Sequence, residues 1–420
     1  MGFATKWLAE KALFPQLFKE TPDNLTGIIA VIPAYNEPGI TTLLDSLAAC
    51  NEPCCGVEII IIVNLKQEAD REVTDNNRKC IDNIDTWKKA NHDCYFRLFV
   101  FDAGKPTIPG WGVGLARKTG MDEAVRRFDA IDRPDGVIVC LDADCTVEKN
   151  YFEAIAENLL ANKKNSACSI YFEHPLGNDC QNDDLTKHII LYELHLRYYV
   201  SALKYTGFPY AYHTVGSAIA VKALQYVKAG GMNRRQAGED FYFVQKLVPS
   251  GGYFTLNSTT VYPSPRESLR VPFGTGAAMS RLMKKEDDQF LTYSFDAFRE
   301  LKSLFDSTGE FYKVDNQAAA NYYMELPAGL KAFISKEEWI LRTGEVNSNT
   351  YGYKSFIKRF FGWFNMFRIV KYLNCVHNGI FEKKPVPESA NELLRSSGHD
   401  VTFSTPADLL SYFRIMDKRS

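Results

Sequence analysis

The sequence predicts an α/β protein: an open sheet flanked by helices, followed by a mostly helical C-terminal region. Three observations support this. Four short runs, Ile28–Ile32, Val57–Val63, Phe96–Phe101 and Gly136–Leu141, are almost wholly apolar. Such runs suit strands covered on both faces, as in parallel sheets. Segments with apolar residues at helical spacing lie between them, which gives the alternation of an α/β sheet. Beyond about residue 285 the pattern turns mostly helical.

In chain order, residues 1–20 carry Trp7, Leu8, Leu13, Leu17 and Phe18 among lysines and read as an amphipathic helix. Ile28–Ile32 is the first strand. Pro33-Ala34-Tyr35-Asn36-Glu37-Pro38 is the turn after it, and Leu43, Leu44 and Leu47 mark the next helix. Val57–Val63 is followed by a polar helix over about 68–90, and Phe96–Phe101 by a Gly-rich loop and a helix across Ala116–Phe128. Gly136–Leu141 ends at Asp142-Ala143-Asp144. Phe152, Ile155 and Leu159 then mark a helix, and Ala167–Phe172 a fifth strand. An aromatic-rich helix over 184–205, a strand over Gly216–Val221, a short helix over Gly238–Val248 and a loop from Tyr262 to Gly276 complete this part. The expected organisation is an N-terminal helix in 1–24, a catalytic domain in 25–285 and a helical region in 286–420, with a boundary at Lys284-Lys285-Glu286-Asp287-Asp288.

The composition is ordinary for a globular chain: 420 residues, 45% hydrophobic and 24% charged, with net charge −2. That balance speaks against a nucleic-acid partner. No stretch approaches the apolar length of a spanning helix, about 20 residues, and Met1–Trp7 lacks the apolar core of a signal peptide. The ten cysteines are irregularly spaced, and Cys54-Cys55 is not a metal-binding pair. Cys140 and Cys168 sit in strand-like runs as buried thiols. The expected compartment is the reducing cytoplasm, with a peripheral contact at the inner face of a membrane as an alternative.

The residues that carry chemistry cluster after strands. Asp142 and Asp144, two apart on extended backbone, point the same way at a strand's C-terminal end, the edge at which open α/β sheets bind ligands. Paired hard oxygens suit Mg²⁺ or Mn²⁺ bound together with substrate phosphates; a solvated turn is the alternative. The turn Pro33–Glu37 offers amides at a helix start, a ring for stacking and polar groups for reading a base. Arg117 and Lys118 open a helix, where the dipole disfavours cations and a bound anion would offset that cost. Glu239 and Asp240 open another helix, as caps or as a general base.

These segments occur in one order on one β/α pattern, and together they resemble the family 2 glycosyltransferases of the nucleotide-sugar-dependent GT-A type. The likeness covers about residues 25–280. It rests on Val31-Ile32-Pro33-Ala34-Tyr35-Asn36-Glu37, Gly114-Leu115-Ala116-Arg117-Lys118, Leu141-Asp142-Ala143-Asp144, Gly230-Gly231-Met232-Asn233 and Gly238-Glu239-Asp240. The resemblance implies a GT-A-like, Rossmann-related mixed sheet. It also implies a metal-dependent transfer of a sugar, a hexose for choice, from a nucleoside-diphosphate sugar to an acceptor hydroxyl, as in polysaccharide biosynthesis. Pro33, Tyr35 and Glu37 match the segment that holds the nucleoside, and Arg117 the basic residue near the donor. Asp142 and Asp144 match the aspartates at the ribose and at the metal-diphosphate. Asp240, beside Glu239, matches the base of inverting members. Mg²⁺ or Mn²⁺ is the implied cofactor, and UDP the default donor nucleotide. The acceptor would be a carbohydrate, a lipid-linked or a small-molecule hydroxyl.

The chain departs from the family pattern in places. Where many members carry Asp-Asp-Gly-Ser after the second strand, it reads Val63-Asn64-Leu65-Lys66-Gln67, leaving Asn64 to hydrogen-bond a base without charge. The QxxRW signature of processive synthases is missing. A retaining transferase on the same fold and a nucleotide-sugar-binding protein without turnover stay open as alternatives. His213 is a candidate third metal ligand or acceptor contact; a lone histidine beside aromatics also serves as a hydrogen-bonded structural residue. The cation-rich loop from Pro263 through Arg266 and Arg270 to Gly276 is a candidate lid over the diphosphate. Residues 286–420 carry no family likeness. Tyr353–Phe364 mixes aromatics with cations and reads as packing on the fold, with an anionic membrane surface as the alternative.

Overall fold

The computed structural model describes residues 2–66, 68–104, 108, 111–176, 184–234, 238–266 and 290–419. Two compact units emerge. The first comprises Met1–Asn178, Thr214–Ser280 and Met416–Ser420; the second comprises Asp179–His213 and Arg281–Ile415.

In the first unit the strands are β1 (Thr26–Ala34), β2 (Gly56–Val63), β3 (Phe96–Asp102), β4 (Val137–Cys140), β5 (Thr146–Val147), β6 (Ala167–Phe172), β7 (Ile219–Lys222) and β8 (Tyr253–Tyr262). They form one sheet in the order β3-β2-β1-β4-β7-β6-β8-β5. β3, β2, β1 and β4 run parallel, whereas β7 is antiparallel to both β4 and β6, and β5 to β8. The mixed sheet flanked by helices is therefore the architecture that the sequence predicts. All nine residues of β1 are buried. The Ile59–Ile62 run of β2 is wholly buried as well, and each such side chain contributes about 1.5–3 kcal/mol by leaving water.

Helices cover the faces: α1 (Thr5–Lys11), α2 (Thr41–Ala48), α3 (Arg71–Ala90), α4 (Val113–Ala130) and α5 (Tyr151–Ile155). Asp70 caps α3 by accepting from Val73 N at 2.9 Å. α4 packs on β1 and β2 and is buried over most of its length. The amphipathic helix expected over residues 1–20 is shorter than predicted. Ala12 is already extended after Lys11, and Pro15 disfavours helix at the residue before it. The first strand also outlasts its apolar run. Pro33 pairs with Ile62 and Ala34 with Val63, and the Ala34 carbonyl accepts from Asn64 N at 2.9 Å. β8 escapes a reading by hydropathy because Asn257-Ser258-Thr259-Thr260 lies within it.

Strand order places the ligand edge. The helix after β1 leads to β2 on one side, while β4 lies on the other. The loops after β1 and β4 thus leave adjacent strands at a topological switch point, where open sheets form a crevice. Those loops hold Glu37, Asp142 and Asp144.

The second unit contains α6 (Asp184–Tyr205) and helices from α9 (Phe295–Asp306) through α10 (Asn316–Glu325), α11 (Ala328–Phe333), α12 (Lys336–Ser348), α13 (Tyr353–Trp363), α14 (Met366–Val376) and α15 (Val386–Ser396). α7 (Ala223–Lys228) and α8 (Glu239–Leu247) belong to the first unit. α6 packs against α9 and α15. In α13, Phe356, Phe360 and Phe361 are buried and Lys354, Lys358 and Arg359 are exposed. The aromatics at helical spacing are core, as the packing reading expects. Among the described residues no helix is long and apolar enough to cross a membrane. The boundary expected at Lys284–Asp288 lies outside the described residues.

Candidate active site

The turn after β1 is held open by asparagines. Asn36 adopts φ +58°, a left-handed conformation that Asn tolerates better than most residues. Its N–H donates to Asn77 Oδ1 and its own Oδ1 accepts from Asn76 Nδ2, both at 2.8 Å. Asn77 Nδ2 donates in turn to the Asn64 carbonyl at 2.9 Å. One pair of α3 asparagines therefore fixes the loops after both β1 and β2. Asn64 is buried, and its Oδ1 has no hydrogen-bond partner among the described residues. Tyr35 is half-buried, with the Lys66 ammonium 5.3 Å from its ring centroid. Asn76 and Asn77 escaped the sequence reading. The available signal was two poor helix formers side by side inside a helix.

Arg117 lies in the second turn of α4, one position beyond the expected first turn, and its side chain is buried. Nη2 donates to Asp142 Oδ1 at 2.6 Å and Nη1 to Glu239 Oε1 at 2.5 Å. Burial works against its charge, but Asp142 and Glu239 outweigh that and hold the guanidinium firmly protonated. Its Nε has no acceptor among the described residues. Lys118 parts from it. Neighbours on a helix point about 100° apart, and Lys118 Nζ pairs with Asp122 Oδ2 at 2.8 Å while Tyr226 donates to the same carboxylate. Of the two predicted anion holders, only Arg117 reaches the carboxylates after β4.

α8 starts from Gly238, whose φ of +69° is the left-handed region where glycine is favoured. That start presents Glu239 and Asp240 together. Asp240 Oδ1 accepts from Phe241 N at 2.7 Å. Among the described residues its Oδ2 has no hydrogen-bond donor. A Cβ at Gly216 would lie 3.0 Å from Arg117 Nη1 and 3.1 Å from Asp240 Oδ2. A side chain at Gly216 would therefore crowd both groups, a role the sequence reading missed because Gly216 looked like a strand residue. β7 begins three residues later, at Ile219. The Asp240 carboxyl is pushed up to about 6, first by burial, then by Glu239 and Asp142, with Arg117 opposing.

Asp144 faces a different cation. Arg266 Nε donates to Asp144 Oδ2 at 2.9 Å, and Nη2 lies 2.8 Å from the same oxygen while also pairing with Glu37 Oε1. Burial pushes Asp144 up to about 6; Arg266 opposes, and Asp142 and Glu37 add to the rise. Asp142 thus repels both Asp144 and Asp240, so β4, α8 and the β1 loop bring their acids within electrostatic reach of one another. Pro33 sits within β1, paired with Ile62, and not in the turn where the sequence reading put it. His213 ends the Asp179–His213 segment of the second unit. The part of the cation-rich loop from residue 267 to 276 lies outside the described residues.

The acids suit a divalent ion. Among the described residues no group of three or more His, Cys, Asp or Glu side chains forms a ready cage. Mg²⁺ and Mn²⁺, however, commonly take one or two carboxylates and complete their shell with phosphates and water. Glu37 and Asp144 each place an oxygen against the same guanidinium nitrogen, so the two carboxylates already converge on one cationic centre. Among the described residues, Glu37, Asp142, Asp144, Glu239 and Asp240 set five carboxylates beside the two guanidiniums of Arg117 and Arg266. A diphosphate entering such a field needs a further cation.

No family model matches this sequence, and no curated protein does. Solved structures are similar to it at low identity. TarS 1–349 of S. aureus in complex with UDP-GlcNAc is 12% identical over 77% of this chain and 91% of its own, with a TM-score of 0.40. The mannosyltransferase PcManGT of Pyrobaculum calidifontis, in complex with GDP-Man and Mn²⁺, is 12% identical over 99% of this chain and 92% of its own, with a TM-score of 0.36. A mycobacterial protein is 14% identical over 59% of this chain and 71% of its own, with a TM-score of 0.34.

Proposed function

We propose that this chain is a metal-dependent glycosyltransferase that moves a hexosyl group from a nucleoside-diphosphate sugar to an acceptor hydroxyl with inversion. The observation that supports it is the constellation around Gly216. A buried arginine bridges Asp142 and Glu239, and beside it Asp240 keeps one carboxylate oxygen without a donor among the described residues.

Each group then has a task. Asn64, with its unpartnered buried oxygen, and Tyr35 hold the nucleobase at the β1–β2 edge. Asp142, anchored by Arg117, faces the ribose. Arg117 stabilises negative charge that builds on the leaving diphosphate. Glu239 keeps the guanidinium in place. Asp240 takes the proton from the acceptor hydroxyl through Oδ2, and its raised affinity for protons suits a general base working near neutral pH. A divalent ion held by Glu37 and Asp144 would neutralise the phosphates of the donor.

The test is donor turnover with Mn²⁺ or with EDTA. Release of nucleoside diphosphate from a panel that includes UDP-GlcNAc and GDP-mannose is the readout, and NMR of the product's anomeric centre follows. Metal-dependent release with inverted configuration supports the reading. Retention moves Asp240 from base to acceptor contact. Binding without any turnover leaves a nucleotide-sugar-binding protein.

A further inference from the structure

We propose that Arg266 is the resident counter-cation of the Glu37–Asp144 pair, and that a divalent metal ion binds by displacing it. This rests on the metal-dependent reading above and adds a competitor built into the chain.

The geometry carries the argument. Arg266 approaches Asp144 Oδ2 through both Nε and Nη2, at 2.9 and 2.8 Å, and Nη2 also meets Glu37 Oε1. One guanidinium thus covers one oxygen of each carboxylate that would hold a metal. The other cations of the first turns of α4 are committed elsewhere: Arg117 to Asp142 and Glu239, and Lys118 to Asp122. Glu37 is buried and Asp144 mostly so, while Arg266 is about one-third exposed. Buried carboxylates without a counter-ion are strongly disfavoured. The arginine therefore stabilises the acids while no metal is bound, and its partial exposure leaves it a path to solvent. A metal ion and the guanidinium draw on the same pair of carboxylates, so the two compete for them.

The consequence is measurable without turnover. If the guanidinium covers the acids about nine-tenths of the time, removing it raises apparent metal affinity about tenfold, because apparent affinity scales with the competent fraction. Mn²⁺ binding to the full-length protein is followed by electron paramagnetic resonance of free Mn²⁺, without nucleotide, in wild type, Arg266→Gln and Arg266→Lys. The expected result is tighter Mn²⁺ binding in Arg266→Gln, by about tenfold, with Arg266→Lys nearer to wild type. Equal or weaker binding in Arg266→Gln overturns the proposal. Should that variant fail to fold, the wild type carries the test. Tryptic cleavage after Arg266, mapped by mass spectrometry against cleavage after the exposed Lys354, is expected to rise with Mn²⁺, and an unchanged ratio overturns the proposal. A parallel thermal-shift titration with UDP separates the two levels. UDP binding without any gain of Mn²⁺ affinity in Arg266→Gln refutes the competition alone, whereas loss of both UDP and Mn²⁺ binding in wild type refutes the underlying reading as well.

Discussion

Replacing Asp240 by Asn should make the protein more stable and nearly inactive, and the two effects share one cause. In the fold the Asp240 carboxyl titrates at about 6 instead of 3.8, because burial and the neighbouring Glu239 and Asp142 disfavour its charge. At pH 7 that difference corresponds to an upper limit of about 3 kcal/mol against folding. The residue is only half-buried, so solvent screening reduces the figure to about 1–2 kcal/mol. Asn keeps the shape, carries no charge and can still accept from Phe241 N. For a unit of this size the gain corresponds to a melting temperature higher by about 2–4 °C. The pH dependence has a fixed direction. Well below pH 4 Asp240 is protonated in both folded and unfolded chains, and wild type and variant match. As pH rises from 4 to 6 the unfolded chain ionises first, and wild type loses stability relative to the Asp240→Asn variant; above pH 6 the gap is complete. Turnover should meanwhile fall about 10²–10⁴-fold, the usual contribution of a general base, with donor binding nearly intact. Wild-type kcat/KM should decline as pH falls through about 6. Differential scanning calorimetry across pH 4–8, with donor turnover on the same samples, reads both quantities. Near-normal turnover removes Asp240 from the chemistry. A variant less stable than wild type at pH 7 refutes the desolvation argument itself.

Three further outcomes follow from the same geometry. Asp144→Ala should abolish the Mn²⁺-dependent part of nucleotide binding; equal affinity with and without Mn²⁺ in wild type would count against a metal at that carboxylate. Gly216→Ala would set a methyl 3.0 Å from Arg117 Nη1 and 3.1 Å from Asp240 Oδ2, so kcat should drop at least about tenfold with a stability loss of about 1–3 kcal/mol, and unchanged kcat would mean that the two groups need no fixed spacing. Arg117→Leu leaves Asp142 and buried Glu239 uncompensated and should cost about 3–5 kcal/mol; adding Glu239→Gln should recover part of it in thermal melts, and no recovery would show that the ion pair is not the source of the loss.

The amino-acid sequence determined a good deal alone. Uniform apolar runs such as Ile59–Ile62 must be buried, and their short length and β-branched content fit strands covered on both faces, so the α/β class was legible from hydropathy. The period of two along a strand predicted Asp142 and Asp144 on one side, but β4 ends at Cys140 and the two lie in the loop after it, where Asp142 meets Arg117 and Asp144 meets Arg266. The alternation Phe356, Phe360 against Lys354, Lys358 likewise announced a helix with one buried face.

What the tertiary structure alone decided is partnership. Local periodicity says which way a side chain leaves its own element, not which distant charge it meets. Arg117 and Lys118 are neighbours in sequence, yet the helical twist sends one to Asp142 and Glu239 and the other to Asp122. Arg266 and Glu37, 229 positions apart, share an ion pair only because the fold brings the segment after β8 to the loop after β1. Gly216 matters for the side chain it lacks, which becomes visible only once Arg117 and Asp240 close on it. Charges act through space, and the distances through space are set by strand order, which no single stretch of sequence encodes.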